Sequence, residues 1–108
     1  MAKGFDVNRI RVALRDLRVE WQRHALERMA ERDIRRSDAL EVLLSGEWIE
    51  EYPEDRPFPS ALFSGWVKRR PIHVVVAFDA GSDRAFIITV YEPDLEHFEP
   101  DFKTRRKP

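Results

Sequence analysis

The hydrophobic period of the chain changes at Glu47, and that change limits the folds open to it. Before it, apolar residues recur at three- and four-residue intervals: Ile10, Ala13, Leu14 and Leu17, then Ala25, Leu26, Met29 and Ala30, then Ala39, Leu40, Leu43 and Leu44. Each set makes one stripe on a helix. After it, EWIEEY, SALFSGWV, PIHVVVAFD and RAFIITVYE read as strands, rich in β-branched and aromatic residues. Helices followed by an antiparallel meander is the α+β pattern. It predicts two or three N-terminal helices packed on one face of a four-stranded antiparallel sheet. The other face must then be covered by the tail, a partner or a ligand.

Local signals mark the ends of these elements. Asp6 or Asn8 can cap the first helix and Ser37 the third, while Gly46 suits a left-handed C-terminal position. A short break is expected between Arg18 and Trp21, and AGSD at 80–83 reads as a hairpin turn. Phe98 and Phe102 can pin an otherwise irregular C-terminal segment to the sheet.

Pro53, Pro57 and Pro59 fall within seven residues, with Arg56 between them. Each proline removes a backbone donor, so 53–59 is excluded from a central strand. Held extended at low entropic cost, the loop can present Arg56 to a phosphate or carboxylate. Equally, Arg56 can tie the loop to Glu54, Asp55 or the sheet edge, with the prolines guarding that edge against aggregation.

With 108 residues, 43% hydrophobic and 36% charged, the chain is one globular domain (1–108). It carries an additional N-terminal helix within 1–17 and a basic tail over 99–108. The absence of cysteine removes disulfides and thiolate metal sites, and with no apolar leader or membrane span it predicts a cytoplasmic protein. The net charge of −1 is segregated: residues 1–36 carry ten basic and six acidic side chains, and residues 37–101 five and fourteen. Lys103, Arg105, Arg106 and Lys107 follow. This balance argues against bulk coating of nucleic acid but leaves room for a local cationic site.

Strand alternation sorts the polar side chains by face. Ile72, Val74, Val76 and Phe78 form one set, joined by Phe86, Ile88 and Val90, and are expected to face the helices. His73 belongs to the other set, and so do Thr89 and Tyr91. A three-residue turn brings His73, Thr89 and Tyr91 together, whereas a four-residue turn pairs odd with even positions and separates them. On the second helix His24 lies opposite the apolar stripe, in line with Arg28 and Glu31. It reads either as a base or phosphate contact or as an exposed histidine on a salt-bridged face. Asp94, Glu96 and His97 match no standard metal spacing, and neither a metal nor a cofactor is expected.

Several motifs recur together in one order: HALERMAERDI, then SGEWIEEYPEDRPFPS, then RPIHVVVAFD and IITVYEPD. They resemble a small bacterial family of unknown function with the patterns H-A-x-x-R-M-x-x-R, Y-P-x-D-R-P, H-V-V and T-V-Y-x-P, over roughly residues 20–106. That family is regarded as distantly related to RelE/ParE-like and BrnT-like toxins. Their RNase members stack helices on one sheet face and cut RNA on the other without metal. The resemblance implies a metal-independent endoribonuclease, the toxin of a toxin–antitoxin pair, with RNA and an antitoxin or a second copy as partners. In that reading His24 and His73 act as base and acid, Arg28 steadies the phosphorane, and Thr89 and Tyr91 orient it. Arg32, Arg56, Lys103 and Arg105 hold phosphates. Unlike those toxins the chain is slightly acidic and has its extra N-terminal helix. The alternative is a non-catalytic protein- or nucleic-acid-binding module using the open sheet face. A single cleft holding His24, His73 and Arg56 would favour the enzyme.

Overall fold

A computed structural model describes residues 6–107. The first five residues of the expected N-terminal helix and the last residue of the tail lie outside the described residues. The elements run α1 (Val7–Arg15), β1 (Val19–Trp21), α2 (Arg23–Arg32), α3 (Arg36–Ser45), β2 (Glu47–Tyr52), β3 (Ser60–Val67), β4 (Arg70–Asp79) and β5 (Arg84–Tyr91). The strands form one sheet in the order β1-β5-β4-β3-β2. Strands β2 to β5 are the antiparallel meander read from the sequence, but β1 pairs parallel to β5, so the sheet is five-stranded and mixed. β1 occupies the expected break. At three residues it is too short for an alternation signal, and its pairing with Ala85 to Ile87 is visible only in three dimensions.

All three helices cover one face. Ile10, Ala13 and Leu14 of α1, Ala25 and Met29 of α2, and Ala39, Val42 and Leu43 of α3 meet Ala61, Phe63, Ile72, Val74 and Val76 of the sheet. Asp6 caps α1 by accepting the Arg9 N–H at 3.1 Å. Arg9 reaches Asp83 and the Ala80 carbonyl, and Arg11 donates to the carbonyls of Leu43 and Gly46. The extra N-terminal helix is therefore part of the core. Ala30, expected in the α2 stripe, is exposed.

Two cap assignments differ from expectation. α3 begins at Arg36, and Asp38 takes the Arg35 N–H at 2.9 Å, so Ser37 lies inside the helix. Gly46 has φ −85°, not a left-handed value. Glycine is needed there for clearance, since a Cβ would meet the carbonyl oxygens of Val42 at 2.5 Å and Ser64 at 2.6 Å. The left-handed cap belongs to α2, where Asp33 has φ 56°.

The β4–β5 hairpin decides which side chains share a face. Its four-residue turn pairs Asp79 with Arg84, Ala77 with Phe86 and Val76 with Ile87, odd with even. A bulge at Ile88 then resets the register, and Val75 pairs with Thr89 and His73 with Tyr91. Val90, Ile87 and Ala85 consequently face the helices. Phe86 and Ile88, expected there, lie on the far face instead. The four-residue turn places both there, and the bulge reverses the alternation only beyond Ile88, with no sign of it in the periodicity.

Candidate functional site

The far face of the sheet is divided between two covers. The segment after Tyr91 folds back over one end. Phe98 is 2% exposed and packs edge-on against His73, with ring centroids 4.7 Å apart. Phe102 sets its ring against Trp66, and Phe98 bridges to Arg105 through the backbone. Two ion pairs fasten this tail to β2, Lys103 to Glu47 at 2.8 Å and Arg105 to Glu50 at 2.6 Å. The 53–59 loop covers the other end, where Phe58 stacks on Phe86 at 5.4 Å.

Beneath the tail lies a polar cluster. His73 is fully buried. Its Nε2 lies 2.7 Å from the Phe102 carbonyl and its Nδ1 3.2 Å from the Tyr91 hydroxyl. The carbonyl can only accept, so Nε2 carries the proton and Nδ1 accepts from Tyr91. Ser64 Oγ donates to the same carbonyl at 3.1 Å. Burial pushes the His73 pKa down, against the pull of the Phe102 carbonyl, and nearby Arg105 lowers it further. The imidazole is held neutral. Burial likewise raises the Tyr91 phenol.

Glu50 accepts from the Tyr52 hydroxyl at 2.5 Å and from Arg105. Burial favours its neutral form, but the Arg105 and Tyr52 hydrogen bonds outweigh this and hold its pKa below the usual carboxylate value. Burial and then Glu50 push Tyr52 up to about 12. The hydrogen bonds that Arg105 donates to Glu50 raise its own pKa.

The expected site residues therefore separate into groups. His73, Tyr91, Lys103 and Arg105 come together at the tail-covered end, and the register puts Thr89 on the same face. His24, Arg28 and Arg32 sit on α2, which packs on the opposite side of the sheet through Ala25 and Met29, and His24 is exposed. No single cleft holds both histidines. Arg56 lies in the loop and donates to the carbonyls of Glu54 at 3.2 Å and Asp55 at 3.3 Å, which is the loop-tying arrangement.

The cluster also contains Glu50, Tyr52 and Ser64, which sequence reasoning missed. Glu50 and its neighbour Glu51 point to opposite faces of β2, and the partner of Glu50 is Arg105, 55 positions away. Asp94, Glu96 and His97 approach within 4.8 Å of one another, all exposed. Asp94 already accepts the N–H groups of Glu96 and His97 and the His97 ring, which lowers its pKa. Among the described residues, no helix is long and apolar enough to cross a membrane.

A third feature lies at the β3–β4 turn. Lys68 and Arg69 both have positive φ, 50° and 71°, and form the tip of a two-residue hairpin. Arg70 anchors the tip by donating to the carbonyls of Arg32 and Asp33 at the end of α2, and it also meets Glu92 at 3.4 Å. Lys68, Arg70 and Arg35 line one small recess with Asp33 and Asp38. Among the described residues, no carboxylate pairs with Arg32, Arg35, Lys68 or Arg69. Trp66, two residues before the tip, is 54% exposed. The run WVKRRP shows this patch in the sequence once the turn is placed between its strands.

The sequence model of a family described as Domain of unknown function (DUF4258) matches residues 21–92, and the chain belongs to that family. No curated protein and no solved structure matches the chain.

Proposed function

We propose, from membership of a family with no assigned function, that the domain is a non-catalytic nucleic-acid-binding module whose contact surface is the basic hairpin tip. The supporting observation is the collection of Arg32, Arg35, Lys68 and Arg69, without carboxylate partners among the described residues, with the exposed Trp66 on the other face of the same hairpin. Guanidinium groups suit phosphate oxygens, and an open indole offers a stacking surface for an unpaired base. Glu47 lines a pocket with Trp66 but is paired with Lys103, and Asp33 and Asp38 line the recess, so the free cationic charge is local rather than spread over the surface. Single-stranded RNA fits these features better than a lipid surface. The tip exposes no aliphatic side chain, and its Val67 is buried.

The test is fluorescence anisotropy with a labelled single-stranded RNA across a series of salt concentrations. Affinity should fall as salt rises and should fall further in a Lys68→Gln/Arg69→Gln variant. Equal binding by that variant and the native chain would overturn the proposal.

A second reading, metal-independent RNA cleavage by a RelE- or BrnT-like toxin, is favoured by the gathering of His73, Tyr91, Glu50 and Arg105 on the face opposite the helices. With the tail displaced, the neutral imidazole would take the ribose 2′-OH proton. The 2′-oxygen would attack phosphorus, the bond to the 5′-oxygen would break, and the Tyr91 phenol would supply the leaving oxygen's proton. Arg105 would meet the charge on the phosphorane. His24, Arg28 and Arg32 have no part in this chemistry. Digestion of RNA in excess EDTA by the full chain, by a chain ending at Glu96, and by His73→Ala tests it. Cyclic-phosphate ends that require His73 would replace the binding reading, and absence of cleavage from all three eliminates this one.

A further inference from the structure

A cleft of about 240 Å³ opens between the 53–59 loop and the far face of β4 and β5. Ala77, Phe86 and Ile88 line it with Phe58, while Gln22, Asp55, Arg56 and Ser60 supply polar groups. Its apolar lining has a specific origin. The four-residue turn places Phe86 and Ile88 together on the far face, and Ile88, the bulge residue, is left unpaired in the β4–β5 register there and lines this cleft. Bulges are common beside working sites. The wall is stiff, because prolines flank Arg56 and Phe58 and Phe58 is stacked on Phe86.

We propose that this cleft binds a small apolar carboxylate, a ligand whose body is no larger than an aromatic side chain and whose anionic end meets Arg56. The volume sits below the range of typical drug-sized pockets and matches a single ring or branched chain. Arg56 is exposed, and its described hydrogen bonds are two long contacts from one nitrogen, Nη1, to carbonyls of its own loop. The other edge of the guanidinium remains for a planar, two-oxygen acceptor. Asp55 lines the same cleft, with one carboxylate oxygen taking the Ser60 hydroxyl at 2.5 Å. A second acid so close disfavours a phosphate dianion and tolerates a single negative charge balanced by Arg56. The site is independent of the nucleic-acid reading, since none of the tip residues lines it.

Such chemistry has two sources, a free organic acid or the C-terminal residue of a polypeptide ending in an apolar side chain. Amide chemical shifts of the full chain would be followed during titration with 3-phenylpropionate, its amide, and short peptides ending in phenylalanine as acid or amide. Shifts at Ala77, Ile88 and Arg56 with both acids, at least tenfold weaker with both amides, are expected if the site takes free acids. Shifts with the peptide acid alone assign it to a polypeptide terminus. Arg56→Gln should weaken the acids about tenfold with the remaining spectrum unchanged. Equal binding of acids and amides, or no shift at these residues with any probe, would overturn the proposal.

Discussion

The Nε2 of His73 lies 2.7 Å from the carbonyl of Phe102, and this bond joins the centre of the sheet to a tail that follows it in sequence. Because burial lowers the His73 pKa, protonation is resisted in the folded chain but not in the unfolded one. The unfolded chain therefore binds more protons as pH falls below 6.5, the unperturbed value. Stability contributed by neutral His73 is complete above that pH and is lost as pH falls toward the depressed folded value. Thermal melts at pH 7.5 and 5.5 should show a lower Tm at the acid end. His73→Gln should flatten this difference, and an unchanged slope would mean that another group controls it.

Tail docking was partly legible in the sequence, because Phe98 and Phe102 stand out in a polar segment. The helices, the four long strands and the 80–83 turn were legible as well, since each carries a strong period or turn signal. What escaped depends on contacts distant in sequence. β1 is three residues long and becomes a strand only through β5. The four-residue turn put Phe86 and Ile88 on the far face, and the bulge at Ile88 then returned Val90 to the helix side and reunited His73 with Tyr91. Glu50 finds its meaning in Arg105. The likeness of His24 to His73 as titratable groups said nothing about the sheet between them.

Phe98 should be the main anchor of the tail. It is 2% exposed and touches both the His73 ring and the Arg105 guanidinium, which lies 4.8 Å from its centroid. Phe98→Ala removes that packing and should cost about 3 kcal/mol by urea denaturation. The exposed pair Lys103–Glu47 contributes far less, so Lys103→Ala should leave the urea midpoint nearly unchanged. The reverse ranking would show that charge, not packing, holds the tail.

Gly46 makes a different kind of demand. Its missing Cβ leaves room for carbonyls from α3 and β3, both backbone atoms that cannot turn aside. Gly46→Ala should separate α3 from β3 and destabilise the chain by about 2 kcal/mol, in the range of overpacked sites. A neutral result in thermal or urea melts would mean that the helix end shifts freely.

Binding at the hairpin tip carries a quantitative salt signature. Each phosphate neutralised on a single strand contributes about 0.7 to the slope of log affinity against log salt. Lys68→Gln/Arg69→Gln should therefore reduce the magnitude of that slope by about 1.4 if both side chains meet phosphates. Trp66→Ala should weaken binding by about 1 kcal/mol or more while leaving the slope unchanged, because stacking releases no counterions. Unchanged affinity in the Trp66 variant would place the indole outside the contact.

Deletion of Ile88 separates the role of the bulge from that of the register. Without that residue Val76 still pairs with Ile87 and Val75 with Thr89, now as an unbroken ladder, and His73 still meets Tyr91. Val90 also keeps its place against the helices. The shortened chain should fold with the His73–Tyr91 contact intact, seen as an unchanged His73 ring shift in a histidine-selective NMR spectrum. The cleft beside Arg56 loses part of its apolar lining, so the shifts induced there by 3-phenylpropionate should disappear. Loss of the His73 signal pattern would mean that the bulge is needed to seat the strand, whereas retention of ligand shifts would remove Ile88 from the site.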